Sequence, residues 1–213
     1  KEVDLIAAED TRHTLKLLNY YEIKTKLTSY HEYNKIEKGK FLVEQLLDNK
    51  NVALVSDAGM PGISDPGEEL IKLCYENHIK VTSIPGPTAV VTGLVLSGLS
   101  SRRYAFEGFL PDNKKERKEI VENLKEEIRT VVFYEAPHRL LKTLRYFYEE
   151  LGDREVSIAR ELTKQFEEVI NGSLGSIIEH FTVNIPKGEI VIILNGVDKE
   201  VLKKQKQDKW NDI

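Results

Sequence analysis

The sequence predicts an α/β protein of two domains, and three features of the chain indicate this. Short apolar runs typical of buried strands alternate with helical periodicity along most of the 213 residues. Turns rich in Gly and Pro follow two of the predicted strands. A segment rich in Gly, Ser and Arg, Gly98–Arg103, separates two such series and is typical of a hinge. This alternation favours parallel β-α-β units with helices on both faces of a sheet.

The first series occupies residues 1–100 and forms the predicted N-terminal α/β domain. Its predicted elements, in order, are strand 3–8, helix 11–20, helix 40–47, strand 51–56, helix 68–76, strand 80–84 and helix 88–96. The chain enters an apolar stretch at Val3, directly after Lys1 and Glu2. We therefore expect that sequence upstream of Lys1, including a first strand, is missing.

The second series occupies residues 101–198 and forms the predicted C-terminal α/β domain. Its predicted elements are strand 104–109, helix 113–128, strand 130–134, helix 137–151, strands 155–161 and 167–171, helix 174–181 and strand 189–195. The polar, Lys-rich tail at 199–213 is predicted to be a frayed helix or disordered. Two lobes joined by a short hinge usually leave a cleft, and ligands tend to bind in such clefts.

Composition narrows the class of protein and its location. With 40% hydrophobic and 31% charged residues, the chain has the balance of a folded, soluble protein. The formal net charge of −4 gives no overall positive field for nucleic acid. Its apolar runs are too short to cross a bilayer, and no secretory segment opens the chain. A single cysteine, Cys74, excludes a disulfide framework and favours a reducing, cytoplasmic location. The five histidines lack the spacing of metal ligands, so no metal is expected.

The most informative segment is SDAGMPGISDPG, which lies between a predicted strand and a predicted helix and ends at Gly67. In a parallel sheet this position is the carboxyl edge, where ligands bind. Its three glycines allow the backbone to approach a ligand closely. The glycine spacing matches neither a dinucleotide fingerprint nor a phosphate-binding loop, and an elaborate turn is the alternative. The segment SIPGPTA repeats the arrangement one β-α unit later, so we expect the two loops to line the same edge.

Two charged clusters in the second series are further candidates. In FYEAPHR, Glu135, His138 and Arg139 follow a buried strand and are predicted to face the cleft. Alternatively, Glu135 caps the next helix and the other two are solvated first-turn residues. In ARELTK, Arg160 and Lys164 follow another strand, and a surface ladder of paired charges is the alternative. At the end of the first strand, the run from Glu9 to Arg12 is either a feature beside the cleft or a capping turn.

Six motifs occur in order between Val3 and about Gly196, namely SDAGMPGISDPG, SIPGPTA, FEGFLP, FYEAPHR, ARELTK followed by FEE, and GEIVIILNG. Together they resemble the tetrapyrrole-methylase-like superfamily of S-adenosylmethionine (SAM) methyltransferases. They are most similar to its ribosomal branch, the small-subunit rRNA (cytidine-2′-O-)-methyltransferases. The resemblance implies two α/β domains, with a mainly parallel sheet in the first and a mixed sheet in the second. It also implies that SAM binds in the cleft between them and that the protein is a homodimer.

The resemblance also assigns residues to roles. It implies that the cofactor is held by Asp57, Ala58, Gly59, Met60, Pro61, Ile63, Pro87, Thr88 and Ala89. Tyr134 is expected to stack on the adenine or to contact the sulfonium through cation–π attraction. The predicted catalytic residues are Glu135, Arg160 and Lys164. A ribose 2′-hydroxyl needs a base, for which Glu135, Lys164 and Glu167 are unranked candidates, and Arg160 is expected to hold a phosphate. Glu189 and Asn195 are further candidates for contact with ligand.

The implied partner is 16S rRNA within the small ribosomal subunit, with no membrane involved. Because the chain is acidic on average, contact with RNA needs local basic patches. The candidates are Arg102–Arg103, Lys114–Lys118 and Lys203–Lys206, although each is also typical of a solvated face. Two other functions stay open from the sequence: methylation of a tetrapyrrole, and a non-catalytic module that binds SAM or RNA.

Overall fold

The computed structural model describes residues 2–211, without the side chains of residues 205, 206 and 208–211. The chain divides into two compact units, one ending at Thr88 and the other beginning at Ala89. We expected this boundary at residue 100. It falls earlier because the helix that starts at Ala89 buries Val90 and Leu94 in the second unit, where they pack with Val132 and Ile193.

The first unit contains a three-stranded sheet and three helices. Its elements are β1 (Leu5–Ala8), α1 (Thr11–Tyr20), β2 (Lys26–Ser29), α2 (Lys35–Leu47), β3 (Val52–Val55) and α3 (Gly67–Glu76). The strand order is β2-β1-β3, and both pairings are parallel, as predicted for this domain. β1 is the central strand of this sheet and is buried along its whole length.

Two segments of this unit differ from the sequence-based expectation. β2 was not predicted, because its sequence KLTS is short and only partly apolar. Residues 80–84 were predicted as a strand, and this was wrong: within residues 2–211 they pair with no strand, and Ile84 is 86% exposed. A strand is stable only through the ladder it forms, so a short segment without a neighbouring strand stays irregular.

The second unit is built on a five-stranded sheet. Its elements are α4 (Ala89–Ser97), β4 (Tyr104–Phe109), α5 (Lys114–Leu124), β5 (Thr130–Glu135), α6 (Pro137–Leu151), β6 (Glu155–Arg160), β7 (Glu168–Ser173), α7 (Leu174–Val183), β8 (Ile190–Leu194) and α8 (Lys199–Asn211). The strand order is β4-β5-β8-β6-β7. β4 and β5 are parallel, whereas β8 is antiparallel to β5 and β6, and β7 is antiparallel to β6. The sheet is therefore mixed, as the resemblance implied.

Both faces of this sheet are covered, because the side chains of its strands alternate. Val131 and Phe133 of β5 face one hydrophobic cluster, which includes Leu140 and Leu144 of α6. Val132 faces the opposite cluster, where α4 packs. The tail, predicted as a frayed helix or disordered, forms α8 up to Asn211, and residues 212 and 213 lie outside the described range. Lys1 lies outside it too. Between residues 2 and 211, no helix is long and apolar enough to cross a membrane.

Candidate functional site

The three parallel strands of the first unit place acidic groups at one edge of their sheet. Glu9 and Asp10 follow β1, and Asp57 follows its neighbour β3. The N–H of Asp10 donates to Asp57 Oδ1 at 3.3 Å, and the N–H of Asp57 donates to Glu9 Oε2 at 3.5 Å. The carboxyl edge therefore carries three carboxylates on two adjacent strands, a site suited to a cationic ligand.

The capping role left open for the Glu9–Arg12 run is confirmed for Asp10. Its carboxylate accepts the N–H of Arg12 at the start of α1 and lies 2.7 Å from the Arg12 guanidinium. These hydrogen bonds from Arg12 hold the pKa of Asp10 well below its usual range. His13 Nδ1 lies 3.5 Å from Asp57 Oδ2, and the ligand atoms of Asp10, His13 and Asp57 lie within 4.8 Å of one another. The expectation that no metal is used stays a prediction.

The two Gly- and Pro-rich loops lie side by side, as predicted. The N–H of Met60 donates to the carbonyl oxygen of Pro87 at 3.1 Å. Gly59 has a φ of +74°, which L side chains rarely adopt, and a Cβ there would come within 3.2 Å of the same Pro87 oxygen. Glycine at this position thus permits the close approach of the loops.

An internal set of hydrogen bonds closes the SDAGMPGISDPG loop. The carboxylate of Asp65 accepts the N–H of Gly62 at 2.9 Å and that of Gly67 at 2.7 Å. Tyr30, at the end of β2, donates its hydroxyl to the carbonyl of Pro66 at 2.9 Å. Burial, with the nearby charge of Glu69, raises the pKa of Tyr30 to about 12, so the hydroxyl stays a donor. A pocket beside them is lined by Glu9, Tyr30, Leu54, Val55, Ser56, Pro61, Asp65, Pro66 and Gly67.

Most of the predicted cofactor residues meet in this one place. Asp57, Ala58, Gly59 and Ile63 are exposed on the loop that follows β3, whereas Met60 and Pro61 are half-buried. Pro87 and Thr88 lie on the adjoining segment, while Ala89 begins α4 in the second unit. Asp65 and Tyr30 were missed by sequence reasoning. The Asp-Pro-Gly turn before a helix was the available signal for Asp65, and β2 had to be recognised to find Tyr30.

The candidates of the second unit converge on one edge of its sheet. In the strand register, Glu135 of β5 lies opposite Ile190 of β8, Ile190 opposite Arg160 of β6, and Arg160 opposite Glu168 of β7. The motifs FYEAPHR, ARELTK and GEIVIILNG therefore all meet there. Asn195 is an exception: it follows the other end of β8, where its side chain donates to Glu155. Glu189 and Asn195 thus lie at opposite edges and do not form one site.

Glu135 is buried and its carboxylate is fully engaged. Its side chain is 1% exposed and lies 3.3 Å from the Arg139 guanidinium. Oε1 accepts the N–H of Ala136 at 2.9 Å, and Oε2 accepts the hydroxyl of Thr143 at 2.6 Å. A general base needs an oxygen within reach of the substrate proton. The N-cap of α6 is Ala136 and no side chain caps the helix, so Glu135 does not cap it either; its carboxylate instead ties the backbone before α6 to Thr143 and Arg139 within it. His138 is exposed, as the alternative of a solvated first-turn residue expected.

Arg160 and Lys164 both lie in a network of ion pairs. Arg160 Nε and Nη2 lie 3.0 and 2.9 Å from Glu168 Oε2, and Nη1 donates to the carbonyl of Lys187. Lys164 lies 3.0 Å from Glu189 and 3.3 Å from Glu161. Partial burial disfavours the charged form of Lys164, but the pairs with Glu189 and Glu161 outweigh it and raise its pKa. Lys164 is therefore a fixed cation near neutral pH.

The loop that follows Arg160 has a strained backbone. Glu161 and Thr163 have φ values of +51° and +65°, and a β-branched residue rarely adopts this region. The N–H of Thr163 is held by the carboxylate of Glu167 at 2.6 Å, and the N–H of Glu189 by that of Glu161 at 2.9 Å. Such strain persists only where the surroundings enforce it, and it concentrates at functional sites.

Tyr134 lies at the same edge, on β5, and belongs to a group of three aromatic rings. Its ring meets those of Phe106 and Phe109 edge-on, with centroids 4.9 and 5.7 Å away. Burial raises the pKa of Tyr134, although a hydrogen bond with the backbone of Val90 opposes this. The neutral phenol is half-buried, so part of the ring stays open to a ligand.

Comparisons with known proteins agree with this fold. Residues 1–178 match the sequence profile of the Tetrapyrrole (Corrin/Porphyrin) Methylases. A crystal structure of uroporphyrin-III C-methyltransferase from Thermus thermophilus complexed with S-adenyl homocysteine superposes with a TM-score of 0.59 at 16% identity, covering 91% of this chain and 86% of that one. The chain belongs to the tetrapyrrole methylase family.

Two curated relatives narrow the comparison. The chain is 48% identical to ribosomal RNA small subunit methyltransferase I of Synechocystis sp., over 93% of this chain and 71% of that protein. It is 47% identical to the protein of the same name from Thermotoga maritima, over 92% of this chain and 88% of the relative. The predicted family is thus confirmed, and the relatives carry the name of the ribosomal branch that the six motifs indicated.

Proposed function

We propose that this protein transfers a methyl group from SAM to the 2′-oxygen of a cytidine in small-subunit ribosomal RNA. The observation that carries the proposal is the identity of 47–48%, over more than nine-tenths of the chain, to proteins named as rRNA small subunit methyltransferases. The likeness to the solved uroporphyrin methyltransferase is at 16% identity and supports the fold alone. The proposal includes the homodimer and the cytoplasmic location that the sequence predicted.

The first unit fits the cofactor. SAM carries a sulfonium and an ammonium, and Glu9 and Asp57 at this edge favour cations, whereas Asp10 is already paired with Arg12. Its adenosyl group needs close backbone contact, which the exposed Ala58 and Gly59 allow. We assign the cofactor to the loop from Asp57 to Ile63 and to the adjoining Pro87 and Thr88. When bound, SAM supplies an activated methyl group for in-line displacement.

Charge at the edge of the second unit supports the substrate side of the reaction. A ribose hydroxyl reacts well only as its proton leaves, and a nearby cation stabilises the developing oxyanion. Lys164 is 41% exposed, so its ammonium remains accessible despite its ion pairs. All three guanidinium nitrogens of Arg160 have partners, so we assign it the task of shaping the strained loop. Glu167 remains the candidate base.

The function is tested by tritium transfer from labelled SAM to 30S subunits of a strain that lacks the modification. Label at a cytidine 2′-oxygen is the expected result. Transfer to a porphyrin-like acceptor and none to rRNA would contradict the proposal in favour of a tetrapyrrole methyltransferase. Calorimetric binding of SAM without transfer to either acceptor would indicate a binding module. Light scattering of the purified protein without an acceptor tests the homodimer.

Lys164 provides a prediction that depends on charge. Lys164→Arg is expected to keep most of the transfer rate, whereas Lys164→Gln should lose about tenfold or more, as for a charge-assisted hydrogen bond. Because the pKa of Lys164 is raised above 10.5, the lysine stays protonated between about pH 6 and 9. The rate in that range should therefore not follow its titration. A basic limb of the pH–rate profile that disappears in Lys164→Arg would instead identify Lys164 as the base.

A further inference from the structure

An irregularity in β4 changes which face of the sheet its last residue occupies. Phe106 pairs with Val132, and the register then shifts, so that Gly108 pairs with Phe133 and Phe109 with Tyr134. Glu107 is the extra residue, and Gly108 has a φ of +65°. In a regular strand, Phe106 and Phe109 would point to opposite faces. The bulge puts both on the face of Tyr134, and bulges of this kind often re-aim a side chain beside a functional site.

The resulting aromatic group is only partly covered. Phe109 is 50% exposed and sits at the carboxyl end of β4, next to the half-buried Tyr134. The following residue, Leu110, is 2% exposed and anchors the chain in the hydrophobic core. An open aromatic ring on a well-anchored strand end can receive a flat ligand without ordering a loop first.

Arg139 and Glu135 hold this strand end in place. Arg139 Nη2 donates to the carbonyl of Leu110 at 2.7 Å, and Nη1 lies 3.3 Å from the carboxylate of Asp112. The same guanidinium is paired with the buried Glu135. Arg139 of the FYEAPHR motif thus holds the chain directly after Phe109, which belongs to the FEGFLP motif.

The charges beyond Phe109 favour a polyanion. Lys114 and Lys115 begin α5, where the helix dipole disfavours cations by about 0.3–1 kcal/mol each. Both are exposed, and within the described side chains neither lies in an ion pair. The negative charge of Asp112 is paired with Arg139. Glu116 in the same turn complements the dipole, whereas Lys114 and Lys115 do not, and these two exposed cations are available to a ligand that carries negative charge.

We propose that Phe109, backed by Tyr134, is a stacking platform for an unpaired base of the RNA substrate, with Lys114 and Lys115 close enough in the chain to contact its phosphates. The inference rests on the proposed function and adds to it the site where the RNA is gripped. Every base has a π face, and RNA-binding proteins commonly combine aromatic platforms with cationic grooves. Phe109 had no role in the sequence-based site.

The test compares three variants of the full chain by fluorescence anisotropy. The probes are a labelled short oligocytidylate and an abasic strand of the same length, which keeps the phosphates and lacks the bases. Phe109→Ala is expected to weaken binding of oligocytidylate by about tenfold or more and to leave the abasic strand unaffected. Phe109→Trp should restore binding. Tyr104→Ala is the matched control, because Tyr104 begins the same strand, is 41% exposed, and should be silent.

The outcomes separate this inference from the proposed function. Equal loss for both strands, no loss for either, or no binding of oligocytidylate by the unmodified chain overturns the platform. Loss of calorimetric SAM binding in Phe109→Ala, with RNA binding intact, would assign the ring to the adenine instead. If the unmodified chain binds oligocytidylate through Phe109 but methylates no rRNA, the platform stands and the proposed function fails. If the unmodified chain methylates rRNA and Phe109→Ala binds oligocytidylate normally, the proposed function stands and the platform fails.

Discussion

Glu135→Ala is expected to lower the free energy of unfolding by about 3 kcal/mol, because it removes one partner from a buried network. The substitution leaves the N–H of Ala136 and the hydroxyl of Thr143 without their acceptor, and the guanidinium of Arg139 without a buried counter-charge. Urea unfolding, monitored by circular dichroism, measures the change. Through Arg139, the strand end at Leu110 should loosen as well, so RNA binding should fall along with stability.

Glu135→Gln is the matched variant, because the amide is isosteric. Its oxygen can accept from Ala136 and Arg139 while its nitrogen donates to the Thr143 hydroxyl. The fold should survive, and most of the methyl-transfer rate with it. If Glu135 were the general base, Glu135→Gln would stay folded yet lose about 10²–10⁴-fold in rate, and the positioning role assigned here would be wrong.

Glu135 also illustrates what sequence can and cannot predict. The FYEAPHR motif identified the right place, because a charged residue at the end of a buried strand usually matters for function or for folding. Its role depended on Thr143, two helical turns further along α6, and on Arg139 reaching back to Leu110. No local pattern encodes that closure, so the sequence left the catalytic and capping alternatives open. The geometry favours a third role, in which Glu135 holds the network of Ala136, Thr143 and Arg139 together.

Strand patterns were predicted best where a strand has neighbours on both sides. β5 and β8 carry continuous apolar runs because both of their faces are covered. The segment at 80–84 has only two apolar residues, Val81 and Ile84, and it pairs with no strand in the described part of the chain. The bulge at Gly108 was invisible for a related reason, since register is a property of two strands and only one of them contains the glycine.

Convergence of the charged motifs followed from topology more than from the motifs themselves. β5 and β6 both end at the edge where β8 and β7 begin, so Glu135, Arg160 and Glu168 lie in neighbouring positions of the ladder. The sequence predicted the strands and their polar ends, and hence that the ends would meet. The sequence left paired charges open as the alternative for ARELTK, and the structure shows ion pairs for both Arg160 and Lys164. We therefore propose that Glu135 and Arg160 position the site, and their catalytic role stays an untested prediction.

In the first unit, the residue with the least room for change is Gly67, the first residue of α3. A Cβ there would lie 2.7 Å from Asp65 Oδ1, 2.9 Å from Leu54 Cδ2 and 3.0 Å from the backbone nitrogen of Gly62. Asp65 Oδ1 and the Gly62 nitrogen take part in the hydrogen bonds that close the SDAGMPGISDPG loop, which we call the Asp65 clamp. Leu54 packs against the hydrophobic core of the first unit. Asp65 Oδ1 and the Gly62 nitrogen cannot move without breaking a hydrogen bond, so only the Leu54 methyl can yield by rotating away.

Gly67→Ala is therefore expected to cost about 1–3 kcal/mol of stability, as for overpacking, and to displace the carboxylate of Asp65 from Gly62. Because the loop would then lose the shape that presents Ala58 and Gly59, SAM affinity should fall by about tenfold or more, equivalent to about 1.4 kcal/mol. Gly86→Ala is the control for stability, since a Cβ at Gly86 meets no atom within 4 Å. Urea unfolding and calorimetry with SAM measure the two effects. A Gly67→Ala protein as stable as the parent would mean that the Asp65 clamp yields to a methyl group, and the rigid loop assigned to the cofactor would have to be abandoned.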